Sequence, residues 1–181
     1  MGTLRATGLS ALLTVLLAST GFAQQAQTRQ GFWIGGGMGY GSMGLSCTGC
    51  AGVGRTGGLS GYAKLGGTLR QNVLLGVEMN GWRKSEGAAT ITMGNFSGAA
   101  YWYPMATQGL FIKGGAGYSV LAVDDGVSNA NDSGFGLLGG VGYDIRVGRN
   151  LSITPVANWF RGGFNGGSAD VLQLGMGVTS H

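Results

Sequence analysis

One stretch of this chain reads Val73-Leu74-Leu75-Gly76-Val77-Glu78-Met79-Asn80. In an extended backbone Val73, Leu75, Val77 and Met79 share one face, and Leu74, Gly76, Glu78 and Asn80 the other. Farther on, Phe135, Leu137, Val141, Tyr143, Ile145 and Val147 are set against Gly136, Gly140, Gly142, Asp144 and Arg146. Near the end, Leu172, Leu174, Met176 and Val178 are set against Gln173, Gly175, Gly177 and Thr179. A period of two, with one apolar and one polar face, is a strand pattern. Strands are expected over 32–42, 59–69, 73–83, 89–103, 110–123, 134–147, 151–160 and 171–179. The fourth is the least regular, because Ile91 and Met93 lie in phase with Asn95 and Ser97. Each stretch is close to the ~9–11 residues with which a strand crosses a bilayer, and an even number closes an up-and-down sheet.

Lipid is the expected surroundings. Only 10% of the residues are charged, against about 25% in ordinary soluble domains. Residues 1–23 read as a secretory signal peptide: a weakly positive start, the uncharged run Leu9 to Leu17, then Gly21-Phe22-Ala23. Cleavage is expected after Ala23 or after Ala26, leaving one barrel domain at 24–181; the alternative is a retained anchor helix. No later segment has the ~18 consecutive apolar residues of a membrane helix, so the spanning structure left is a closed barrel. The 40 glycines lack a three-residue period and come with only 2 prolines, which excludes collagen and argues against a disordered linker. The expected fold is all-β, an eight-stranded antiparallel up-and-down transmembrane β-barrel.

Loop lengths orient it. The connections at 70–72, 104–109 and 148–150 are short; those at 43–58, 124–133 and 161–170 are longer and polar, with 84–88 the exception. Short turns on a periplasmic rim and longer loops outside are the outer-membrane arrangement. Two interfacial aromatic girdles are expected: Phe32, Trp33, Tyr101, Trp102, Tyr103 and Phe111 near the periplasmic rim, and Tyr40, Trp82, Trp159 and Phe160 near the outer one.

Few residues carry chemistry. Lys64, Glu78, Lys113, Asp144 and Arg146 fall on polar phases. Inside eight strands they must pair, because an unpaired buried ion is costly. Glu78 and Asp144 are expected to bridge Lys64, Lys113 and Arg146 as a plug, with a gated ion path as the alternative. Cys47 and Cys50 are a disulfide candidate in an exported chain. Metal and cofactor sites are not expected, since His181 is the sole histidine and those two are the only cysteines. It also leaves no internal catalytic triad, so no enzyme is expected. Asp124, Asp125 and Asp132 read as solvated charges or a weak cation site. Gly39-Tyr40-Gly41-Ser42-Met43-Gly44 and Gly134-Phe135-Gly136-Leu137-Leu138-Gly139 match G-x-G-x-x-G, but neither opens a helix in a βαβ unit. No Lys/Arg cluster points to nucleic acid.

The run Gly31-Phe32-Trp33-Ile34-Gly35-Gly36-Gly37-Met38-Gly39-Tyr40 and the Gly-rich strand Ile112-Lys113-Gly114-Gly115-Ala116-Gly117-Tyr118 resemble the small outer-membrane β-barrel family, which includes the OmpA-like transmembrane domain, OmpX and the porin-family opacity proteins. The resemblance spans the mature chain and is one of pattern. It implies a bacterial outer-membrane location, lipid and lipopolysaccharide as surroundings, and the insertion machinery and periplasmic chaperones as biogenesis partners. A monomer is expected. Such barrels usually end in an aromatic residue, whereas this sequence ends Gly177-Val178-Thr179-Ser180-His181. The roles expected are a structural or surface-interaction barrel, a narrow porin, or, more weakly, a soluble periplasmic ligand-binding barrel.

Overall fold

Eight long strands follow one another: β1 (Phe32–Cys47), β2 (Thr56–Arg70), β3 (Val73–Glu86), β4 (Ala89–Trp102), β5 (Leu110–Asp124), β6 (Asn129–Tyr143), β7 (Leu151–Phe164) and β8 (Gly167–Ser180). The two-residue segment Ile145–Arg146 continues β6 past Asp144. This computed structural model describes residues 29–47 and 54–181. The expected signal segment 1–23, its cleavage positions and Cys50 lie outside them. Every strand pairs antiparallel with its chain neighbours, and β1 also pairs with β8. The sheet is therefore a closed all-β barrel of up-and-down topology, as the eight alternating stretches require.

Pro155 accounts for the one break in the β6–β7 ladder. Pairing runs to Gly142↔Val156 and resumes at Ile145↔Ile153. Two residues intervene on each strand, so the register is kept and only the bonding lapses. Proline has no N–H to give to a neighbouring strand. On the other side of the strand the β5–β6 pairing is kept, with the Asp144 N–H donating to the Gly109 carbonyl at 2.9 Å.

The far rim, opposite the end where β1 begins, differs from expectation. Long polar loops were expected at 124–133 and 161–170, but the strands run on and leave only the turns 125–128 and 165–166. Fifteen residues span about 50 Å of strand, or very roughly 38 Å along the axis at a tilt of about 40°. An outer-membrane apolar band is about 25 Å tall. Strand pairing thus outlasts the apolar pattern. On β6 the outward positions change from Phe135 to Ser133, Asn131 and Asn129 while the pairing with β5 continues.

Burial inverts the plan of a soluble barrel. Ile34, Met38, Leu65, Leu75, Met79, Phe96, Ile112, Val141, Leu174 and Met176 are exposed on the outside, while Lys64, Glu78, Asn80, Asn95, Lys113, Asn158 and Gln173 are buried within. Two apolar clusters flank this polar middle. Trp33, Leu74, Tyr101, Tyr103 and Phe111 fill the entry rim, where β1 begins; Met43, Trp82, Met93, Phe160 and Val171 fill the far rim. The irregular phase of the fourth stretch is thereby explained: Met93 packs inward with Asn95 and Ser97 beneath it.

Candidate functional site: the barrel lumen

Glycine gives the large lumen groups their room. A Cβ on Gly66 or Gly76 would stand 2.7 or 2.8 Å from Trp33 Cζ2, and one on Gly35 would stand 2.9 Å from Lys64 Cε. Small residues facing large ones are how a narrow barrel fills its interior. Part of the glycine excess is this inward complement to Trp, Phe and Lys, and at Gly37, Gly39 and Gly117 a Cβ would instead meet the neighbouring strand's backbone.

Glu78 lies at the centre of the lumen. Lys113 Nζ approaches its two carboxylate oxygens at 2.6 and 2.8 Å. The Tyr101 hydroxyl donates to Oε2, and Asn80 Nδ2 donates to Oε1 at 3.1 Å. Both charges of this ion pair are fully buried. Lys64 is the direct register partner of Glu78, yet its ammonium lies against rings, 5.0 Å from Phe111, 5.4 Å from Tyr101 and 5.8 Å from Trp33. Cation–π attraction replaces part of its hydration there. Toward the far rim Asn158 donates to Gln173 at 2.9 Å and to Asn80 at 3.2 Å, and Asn95 donates to Ser119 at 2.9 Å.

Asp144 forms a second centre at the entry rim. It accepts from Tyr103 at 2.8 Å and from Thr154 at 2.7 Å, and His181 Nε2 lies 3.5 Å away. The Arg29 guanidinium is 3.5 Å above the Tyr103 ring and donates to the carbonyls of Ala106 and Gln108 at 3.1 and 2.6 Å. Four of the five expected lumen charges are coupled: Lys113 pairs with Glu78, and Lys64 interacts electrostatically with Asp144 as well as with Glu78. Glu78, Lys113 and Lys64 share the middle, while Asp144 lies at the rim. Arg146 donates to the Arg149 carbonyl at 2.5 Å and bridges to neither carboxylate. Sequence reasoning did not include Arg29, Thr154 or His181 in the lumen. Arg29 precedes β1, so no strand phase marks it, and His181 follows the last strand.

The girdle expectation is corrected for six residues. Phe32, Tyr40 and Trp102 are exposed and Trp159 is half-buried, but Trp33, Trp82, Tyr101, Tyr103, Phe111 and Phe160 point into the barrel. Several were adjacent in the chain, as in Phe32-Trp33 and Trp159-Phe160. Adjacent strand residues face opposite sides, so both members of such a pair cannot face lipid.

Cys47 ends β1, and its expected partner Cys50 lies outside the described residues. Asp125 Oδ1 accepts the N–H groups of Val127 and Ser128 at 2.9 and 2.6 Å, and Asp124 Oδ1 accepts that of Gly126 at 2.9 Å. Asp132 accepts from Ser133 N–H and, across to the β7–β8 turn, from Asn165 N–H. These carboxylates hold hairpins, and no group of three or more metal-ligating side chains is present among the described residues.

No protein-family model matches the chain, and no curated protein matches it. Solved structures do. Neisserial surface protein A is 17% identical, with a TM-score of 0.63 over 82% of this chain and 96% of that one. Ail, the attachment invasion locus protein of Yersinia pestis, is 10% identical, with a TM-score of 0.61 over 83% of this chain and 99% of that one. The N-terminal β-barrel domain of Pseudomonas aeruginosa OprF is 14% identical, with a TM-score of 0.51 over 83% of this chain and 97% of that one. Identities this low speak for fold alone. With the strand pairing and the inverted burial, the chain has the fold of the small eight-stranded outer-membrane β-barrels.

Proposed function

We propose that the chain is an integral protein of a bacterial outer membrane, exported on a cleaved signal peptide. Its role there is structural or one of surface interaction, with a lumen closed by its own side chains. One observation carries this: the apolar surface is outside, while Lys64, Glu78, Lys113 and Asp144 are buried inside, with Glu78 and Lys113 directly paired. An exposed belt of this extent suits lipid and argues against a soluble ligand-binding barrel. In this orientation the entry rim faces the periplasm and the far rim faces outward.

The extended far-rim hairpins support surface interaction, since rigid strands would present their turns well clear of the lipid. Ail, which shares the fold, is the attachment invasion locus protein of Yersinia pestis and has been seen in complex with the heparin analogue sucrose octasulfate. The far rim here mixes signs, with Arg55 bonded to Asp170 at 2.9 Å and Lys84 beside Glu86 at 2.9 Å. No polyanion ligand is therefore proposed. Tight lumen packing supports closure, because the Glu78–Lys113 pair lies between two apolar clusters.

Conductance across a planar bilayer tests the closed lumen, after a heat-dependent gel shift has shown folded barrels. Insertion without current is the expected result. Steady current altered by Glu78→Gln would overturn closure and favour a narrow porin. Failure of folded barrels to insert would overturn the membrane assignment.

A further inference from the structure

The inward positions at the end of β6, the start of β7 and the end of β8 converge. Arg146 stands opposite Ser152, and Ser152 opposite Thr179. His181 is tied alongside by its N–H bond to the Asn150 carbonyl at 2.9 Å. Arg146 uses Nη1 on the Arg149 carbonyl and His181 turns Nε2 toward Asp144, but Arg146 Nε and Nη2, Ser152 Oγ and His181 Nδ1 are all buried without a hydrogen bond. Ser152 is 0% exposed and the His181 side chain 1%. Buried donors are nearly always satisfied, and a cluster of them marks a place for an acceptor.

Charge points the same way. Arg146 and the buried Arg29 add two cations at this rim, with the exposed Arg149 beside them, and Asp144 is the side-chain carboxylate among the described residues there. That carboxylate already accepts from Tyr103 and Thr154. A guanidinium fork, a hydroxyl and an imidazole on three adjacent strands offer the donor set that tetrahedral oxyanions take. We propose that Arg146, Ser152 and His181 form an oxyanion site at the entry rim. It receives a phosphate group, either free or carried by a lipid headgroup. The outer-membrane reading enters only in naming the periplasm as the side from which the ligand comes.

The test uses the chain folded in zwitterionic detergent, with folding checked by the gel shift. Side-chain ¹⁵N resonances of Arg146 and His181 are followed during titration with inorganic phosphate, with chloride at equal ionic strength, and with dihexanoyl phosphatidylglycerol. Saturable shifts with a phosphate species but not chloride are expected. Affinity should fall about tenfold or more in Arg146→Gln, since charge-assisted bonds are lost. It should fall less in Ser152→Ala, and not at all in the far-rim control Arg83→Gln. Saturation by inorganic phosphate assigns the site to free anion; saturation by the lipid alone assigns it to a headgroup. Shifts that chloride reproduces, or equal affinity in Arg146→Gln and wild type, would overturn the proposal. Ser152→Ala keeps the test decisive if Arg146→Gln fails to fold. Folded barrels that bind phosphate but do not enter bilayers would sink the membrane reading and leave the site standing.

Discussion

Removing the Glu78 carboxylate while keeping Lys113 would strand a buried ammonium beside Lys64. Breaking a buried pair from one side costs about 3–5 kcal/mol, whereas replacing both partners with groups of similar volume is often close to neutral. Glu78→Gln is therefore expected to lower unfolding stability by that order. Adding Lys113→Met should recover much of the loss. Urea titration of the two singles and the double, read as a double-mutant cycle, checks this; additive losses would mean the pair is not coupled. Glycine offers a second test at this scale. Gly66→Ala puts a Cβ 2.7 Å from Trp33 Cζ2 and closer still to the Leu75 carbonyl oxygen, while Gly67→Ala meets nothing within 4 Å. The first is expected to destabilise by about 1–3 kcal/mol through overpacking, and the second to change little. Neither the Gly66 contact nor the Lys64 ring cage was legible in the sequence. Alternation says that a residue faces inward, not what it meets there.

At the level of the hairpin, far-rim turns of two to four residues join strands of 14 or 15 residues from β3 to β8. Gly166 closes the β7–β8 hairpin with φ +84°, where a Cβ costs about 1–2 kcal/mol. Gly166→Ala is expected to lower stability by about that amount and to loosen the Phe164↔Gly167 end first, as amide exchange would reveal. In the β5–β6 turn, the N–H groups of Ser128 and then Val127 hold the Asp125 carboxyl below the usual carboxylate range. A depressed folded pKa means that the turn is fully held above the ordinary value, about 3.9. The hold is lost as pH falls through the folded value. The amide resonances of Val127 and Ser128 are therefore expected to titrate below that ordinary value, and Asp125→Asn should abolish the step. Strand existence was legible because period two is strong over each apolar stretch. The strand ends toward the far rim were not, because outside a lipid band both faces are free to be polar while backbone pairing continues.

The whole barrel makes the lipid assignment testable by depth. Met79 lies exposed mid-strand on the apolar belt, and Asn131 lies beyond it on the β6 extension. Met79→Arg is expected to cost about 2–4 kcal/mol in a bilayer, and Asn131→Arg close to nothing. Equal costs, measured by unfolding from vesicles, would mean that the belt does not face lipid. The chain by itself determined the strand count, the antiparallel order and which face is apolar. Those follow from residue alternation, turn composition and scarce charge, which are local properties. Only the tertiary structure decided which lumen groups meet. Along the pairing rows Glu78 stands opposite Lys64, and through Ser97 it reaches Gly117 on β5, four residues from Lys113. Strand tilt and closure bring Lys113 level with Glu78 across β4, since in a sheared barrel residues at one height are offset in register. Pairing of β6, β7 and β8 also gathers Arg146, Ser152 and the His181 that follows β8, a convergence that no single strand's pattern encodes.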